Sequence, residues 1–183
     1  MRSPRSVWIR LEAIAAGFEG PLTGATTLLA FLTTKLSDLI GADCVMDLDS
    51  PTKEEALAAL SRQLSACGKI ADCQTFCRAL LDREELASTG VGYGIAIPHV
   101  KNAQVSDYTI AIGRSMRGID FDAIDGNPVH LIFLIGASDR QTREFVNILA
   151  AVTRLLKSAE VRDALMAAAI PGDFMNVIRD NER

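Results

Sequence analysis

A chain of 183 residues, 49% hydrophobic and 23% charged, with a formal net charge of -4, has the composition of one ordinary globular unit large enough to bury a core without metal or disulfide staples. Acids and bases are mixed along it, with no basic stripe to neutralise phosphates, which excludes nucleic acid as an expected partner. No run approaches the roughly 20 apolar residues of a bilayer span; even Thr27 to Thr34 is short and broken by threonines, so no membrane insertion is expected.

In chain order, residues 1–34 read as an extension. Arg2, Arg5 and Arg10 are scattered, Gly17, Gly20, Pro21 and Gly24 interrupt any period, and the Gly20-Pro21 break spoils a signal-peptide reading. The arginines and Trp8 would let Ser6 to Ala16 form a short amphipathic helix, for which the sequence indicates no partner. The folded domain is expected over residues 35–183. Thr52 starts a helix with Glu55 at the capping-box position, its apolar face carrying Ala56, Leu57, Leu60 and Leu64, and Gly68 stops it. Asp72 caps a second helix that ends near Leu86, with Cys73, Phe76, Cys77 and Leu80 toward the core.

The composition then switches. Ser88 to Gly94 holds three glycines among small hydroxyls and reads as a loop, and Ile95 to Pro98 as a short strand. Tyr108 to Gly113, the segment around Phe121 and Ile124, and Val129 to Ile135 are expected in the sheet. The unbroken apolar run from Leu131 to Ile135 predicts a central strand covered on both faces. Ser138 or Asp139 is expected to cap a long amphipathic helix bearing Phe145, Ile148, Leu149, Val152, Leu155 and Leu156. A further helix over about Ala159 to Ala169, and a short one started by Pro171, complete an α/β domain: a mixed β-sheet flanked by helices on both faces.

Cys44, Cys67, Cys73 and Cys77 lack paired zinc spacing, and only two histidines are present, so neither a metal nor another cofactor is expected. Unpaired cysteines fit a reducing cytoplasm. The histidine at position 99 stands out. It follows the glycine-rich loop and the stretch Gly94-Ile95-Ala96-Ile97-Pro98, and Pro98 has no N–H for a sheet ladder, so His99 is expected where strand pairing ends. A neutral imidazole there offers a nucleophilic nitrogen, and positioned donors would meet the charge of a transferred phosphoryl group. Ser88, Thr89 and Gly90 supply candidate hydroxyl and N–H donors, and Arg83 a cation. On local pattern alone, a structural histidine and a reactive one both remain open. The loop lacks the Lys-Ser/Thr of a nucleotide P-loop and the dinucleotide fingerprint.

The run Arg83-Glu84-Glu85-Leu86-Ala87-Ser88-Thr89-Gly90-Val91-Gly92-Tyr93-Gly94-Ile95-Ala96-Ile97-Pro98-His99 resembles the active-site signature of phosphotransferase system enzyme IIA, fructose/mannitol and nitrogen-regulatory class. Lys35 to Ile40, Thr52 to Leu57, Gly118 to Gly126 and Pro128 to Phe133 extend the resemblance from about Lys35 to the C-terminus. It implies that His99 accepts phosphate from an HPr-like phosphocarrier, with Arg83, Ser88 and Thr89 beside it. The phosphate then passes to an enzyme IIB, or its presence signals to a regulated protein such as a kinase, channel or transporter. The single-domain layout puts a nitrogen-type regulatory role ahead of sugar uptake.

Two residues depart from the resemblance. Val100 stands where the signature has a small residue, which would narrow the approach of a donor. Phe145 stands where many members have a second histidine, and its ring has no donor or acceptor to offer. These departures motivate the alternative reading, a binding module that keeps the fold without turning phosphate over. His130 reads as a partly solvated strand histidine rather than a catalyst.

Overall fold

The computed structural model describes residues 35–140 and 143–182; the expected extension over residues 1–34, with its short helix, lies outside them. A first helical turn, α1 (Leu36–Leu39), leads into strand β1 (Val45–Asp47) and two antiparallel-packed helices, α2 (Lys53–Ala66) and α3 (Cys73–Leu86). Strands β2 (Gly90–Gly92), β3 (Ile95–Ala96), β4 (His99–Lys101), β5 (Thr109–Ile119) and β6 (Val129–Ala137) follow, and helices α4 (Arg143–Leu156), α5 (Ala159–Ala167) and α6 (Pro171–Asn181) close the chain.

The two helices before the site begin and end for local reasons. The Thr52 hydroxyl accepts from the Glu55 N–H at 3.2 Å, capping α2. Gly68, at φ +68, turns the chain out of α2 while the Lys69 N–H reaches back to the Leu64 carbonyl at 2.9 Å, which satisfies a carbonyl of the last turn. The Asp72 carboxylate caps α3, accepting from the N–H groups of Gln74 and Thr75 at 2.9 and 3.1 Å.

The described strands form one mixed sheet in the order β1-β5-β6-β3-β2, with β4 also paired to β6. Strand β6 is central: antiparallel to β5 on one side, parallel to β3 and then β4 on the other. From Leu131 onward its side chains alternate between two cores. Leu131, Phe133, Ile135 and Ala137 face the layer of α4, α5 and α6, whereas Val129, Ile132 and Leu134 face α2 and α3. Phe133 and Phe76 are fully buried on opposite sides, and burying such a ring contributes about 1.5–3 kcal/mol. Layers on both faces explain the unbroken apolar run. Arg114 of β5 ties the layers at one end, bonding the Asp47 carboxylate at 2.6 Å and the Met166 carbonyl at 3.0 Å beyond it.

The structure departs from the sequence reading in several places, and the loop expected over Ser88 to Gly94 itself contains strand β2. The segment holding Phe121 and Ile124 is a turn rather than a strand, because β5 itself runs on to Ile119 and leaves few residues before β6. Helix α4 is described from Arg143 and strand β6 continues through Ala137; the residues that a cap at Ser138 or Asp139 would serve, 141–142, lie outside the described residues. Cys73 packs against the α2–α3 core as expected, but it and Cys77 are only partly buried and line a shallow groove beside the small Ala58 of α2. Lastly, pairing does not end before His99. Pro98 interrupts it, but the Pro98 carbonyl accepts from the Ile135 N–H at 2.8 Å, and His99 resumes as the first residue of β4 in register with Ile135.

Candidate functional site

His99 stands on β4, which among the described residues pairs with β6 alone and leaves its other side open. Its ring is partly buried, and Nδ1 lies 2.8 Å from the Ile97 carbonyl. A carbonyl only accepts, so Nδ1 carries the proton and the Nε2 lone pair points away from the strand. Arg83, in the last turn of α3, donates from one guanidinium nitrogen to the Ala87 carbonyl at 3.0 Å and places the other 3.4 Å from that Nε2. The helix end thus holds the cation, and the cation faces the nucleophilic nitrogen.

The rest of the rim follows from strand alternation. His99 and Lys101 share one face of β4 and Val100 takes the other. Phe145, from the first turn of α4, lies with its ring centroid 6.0 Å from that of His99, and the Lys101 ammonium sits 6.0 Å over the same ring. The residue at the second-histidine position therefore does adjoin the imidazole, but as a hydrocarbon wall. Val100 packs against the α2–α3 core, away from His99. It does not narrow the approach to Nε2.

Ser88 and Thr89 lie in the turn after α3, and the structure gives their polar groups internal partners. The Ser88 hydroxyl donates to the Phe121 carbonyl at 2.8 Å and accepts from the Gly90 N–H at 3.1 Å. Both the N–H and the hydroxyl of Thr89 donate to the Glu84 carboxylate, at 2.8 and 2.6 Å. Of the four residues singled out, His99 and Arg83 are brought together at Nε2, whereas Ser88 and Thr89 shape the loop. Gly90 is required there by space, since a Cβ would fall 2.8 Å from the Ala123 Cα. Glu84, adjacent to Arg83 in the same motif, was not among the sequence candidates, although an acid in the last turn of a helix is an unfavourable placement that could have flagged it. His130 bonds the Ser115 carbonyl through Nδ1 at 2.9 Å, in keeping with a structural role.

Burial lowers the pKa of His99 below its ordinary 6.5; the Arg83 charge adds to the effect, and the Ile97 carbonyl opposes it. The ring is therefore neutral throughout the physiological range, with the Nε2 lone pair available. Because the folded pKa lies below the unfolded one, the unfolded chain binds the proton more readily; stability on this account is full above about pH 6.5 and is lost as pH falls through the lower folded value. A histidine-resolved NMR titration should place the His99 midpoint below 6.5, and Arg83→Met should move it upward.

The site can thus perform one kind of chemistry well: attack by a neutral, oriented imidazole nitrogen on an electrophile whose charge a guanidinium can meet. Residues 41–181 match the family model "Phosphoenolpyruvate-dependent sugar phosphotransferase system, EIIA 2", and the chain belongs to that family.

Individual relatives agree. The chain is 40% identical over 138 residues to the "PTS system fructose-specific EIIA component" of Haloferax volcanii, covering 74% of this chain and 90% of that protein. It is 33% identical over 150 residues to the fructose-specific EIIABC component of Bacillus subtilis, covering 81% of this chain but only 24% of that longer protein. A nitrogen regulatory protein of Pseudomonas aeruginosa is 36% identical over 109 residues, 60% of this chain and 71% of that one. Among solved structures, the nitrogen regulatory protein IIA-Ntr from Neisseria meningitidis superposes with a TM-score of 0.74 at 26% identity, over 79% of this chain and 99% of that one. The IIA mannitol structure from Escherichia coli shares the fold, with a TM-score of 0.66 at 23% identity over 75% and 97% of the two chains. The expected mixed sheet flanked by helices is the fold of this family. Among the described residues no helix is long and apolar enough to cross a membrane.

Proposed function

We propose that the protein carries a phosphoryl group on Nε2 of His99, taking it from the phosphohistidine of an HPr-like phosphocarrier. The observation that carries this is the pairing of a fixed Nδ1–H, held by Ile97, with an Nε2 lone pair facing Arg83. In the transfer, the Nε2 lone pair forms the new P–N bond as the donor's P–N bond breaks, and the donor imidazole keeps that electron pair. His99 needs no base, because Nε2 bears no proton to lose. Arg83 meets the phosphoryl oxygens where it already stands. The carrier works in the cytoplasm, where such donors reside.

In a second transfer the His99 P–N bond breaks, Nε2 keeps its electron pair and a nucleophile of an enzyme IIB bonds to phosphorus, or the phosphorylated state is read by a regulated protein such as a kinase, channel or transporter. The relatives include both fructose-specific and nitrogen regulatory proteins, and an Escherichia coli mannitol IIA of the same fold has been solved with its phosphorylated IIB. Close to two added negative charges beside Arg83 and Lys101 would rewrite the charge of this rim, which suits a phosphorylation-dependent contact.

Incubation of the purified protein with enzyme I, a phosphocarrier and labelled phosphoenolpyruvate tests the proposal. One acid-labile, base-stable phosphate should appear in the peptide containing His99. A chain that stays unlabelled with both sugar-branch and nitrogen-branch donors is not a carrier; the Phe145 wall then favours the binding-module reading, in which partner capture is indifferent to substitution of His99.

A further inference from the structure

Glu84 is a charged residue in two unfavourable places at once. It is 4% exposed, and it lies in the last turn of α3, where the helix dipole opposes a negative charge. Its carboxylate is fully engaged: Oε1 accepts the Thr89 N–H, Oε2 accepts the Thr89 hydroxyl, and the Lys53 ammonium of α2 stands 3.6 Å from Oε1. From Thr89 a line of hydrogen bonds runs to the reactive ring. The Thr89 carbonyl accepts the Ile97 N–H at 3.1 Å, and the Ile97 carbonyl accepts Nδ1–H of His99 at 2.8 Å.

We propose that Glu84, neutralised by Lys53, is a positioning residue for His99: by clamping Thr89 it aims the Ile97 carbonyl that holds the proton on Nδ1 and leaves Nε2 as the nucleophile. This role rests on His99 being the phosphoryl acceptor. The alternation within one helical turn has a simple logic. Arg83 points out of the helix to the far side of the imidazole, and Glu84, the next residue, points inward to the loop that fixes the near side. One segment of α3 thereby sets both nitrogens of the ring. The free imidazole mildly prefers its proton on Nε2, the tautomer that cannot attack phosphorus through Nε2, so the Ile97 carbonyl must work against that preference, and its direction depends on what anchors Ile97. Pro98 is fixed independently through Ile135; the Thr89 bond is the contact that Glu84 controls.

The chain has only two histidines, so a spectrum of the full-length protein labelled with nitrogen-15 in histidine reads the tautomer directly. The parent should show His99 protonated on Nδ1. In Glu84→Ala, Nε2–H should become a substantial fraction, and phosphoryl uptake should slow about 10- to 100-fold, in kcat more than in the KM for the phosphocarrier. Glu84→Gln, whose amide oxygen can still accept from Thr89, should restore the Nδ1–H tautomer and most of the rate. If Glu84→Ala does not fold, Glu84→Asp, which withdraws the carboxylate by one methylene, is read in the same way. A folded Glu84→Ala or Glu84→Asp with an unchanged His99 tautomer overturns the proposal. The tautomer is read without phosphate, so a parent chain that takes up no label would reject the carrier reading and leave this result to stand or fall by itself.

Discussion

His99→Gln is expected to take up no phosphoryl label, a loss of at least about three orders of magnitude, the scale set by removing a covalent nucleophile. Glutamine fills a similar volume and keeps an amide N–H for the Ile97 carbonyl, so the strand should survive. What disappears is the lone pair at the position of Nε2. The neighbouring groups provide no substitute: Phe145 has no heteroatom, Arg83 remains protonated, and the Ser88 and Thr89 hydroxyls are turned inward to Phe121 and Glu84. Mass spectrometry after incubation with the full phosphoenolpyruvate-driven donor system should find the variant unmodified and its circular dichroism unchanged. Label retained at another residue would move the acceptor elsewhere and remove the basis of the mechanism.

The second large effect falls on Arg83. Arg83→Met keeps a long apolar stem along α3 but withdraws the charge that stands 3.4 Å from Nε2. The transferring phosphoryl group carries its charge on three oxygens, and a preorganised donor at such a site accounts for about 100- to 1000-fold in rate. A loss of that size is expected in single-turnover transfer. Arg83→Lys should recover part of it, since an ammonium supplies charge without the planar fork that bonds the Ala87 carbonyl and the site together. A methionine variant with an undiminished rate would mean that another group, such as Lys101, meets the phosphate.

Much of this is written in local stretches of the sequence. The capped starts of α2 at Thr52 and α3 at Asp72, the apolar run of β6 and the helical spacing of α4 are local signals, because a cap or a periodicity is satisfied within a few residues. The motif from Arg83 to His99 likewise placed the histidine and its neighbouring cation in one stretch of chain. The errors fall where distant parts of the chain decide. Phe121 and Ile124 carry strand-like composition but form a turn, because the Phe121 carbonyl is taken by Ser88 and the Ile124 N–H by Gly90. The Ser88 and Thr89 hydroxyls have the right chemistry for binding phosphate, yet their protons are spent on Phe121 and on a buried carboxylate that no spacing rule points to.

By itself, the sequence determined that there would be a sheet with a doubly covered central strand, helices around it, and a histidine after a proline beside an arginine. Only the tertiary structure decided which imidazole nitrogen is free, that Val100 turns away from the site while Phe145 walls it, and that Glu84 anchors the loop. The reason is directional: residue types and periodicity fix which groups are available and roughly which way a strand or helix face turns. Hydrogen bonds, by contrast, are oriented by both partners at once, and the partners of Thr89, Ile97 and His99 meet only when the loop, the helix end and the edge strand are folded together.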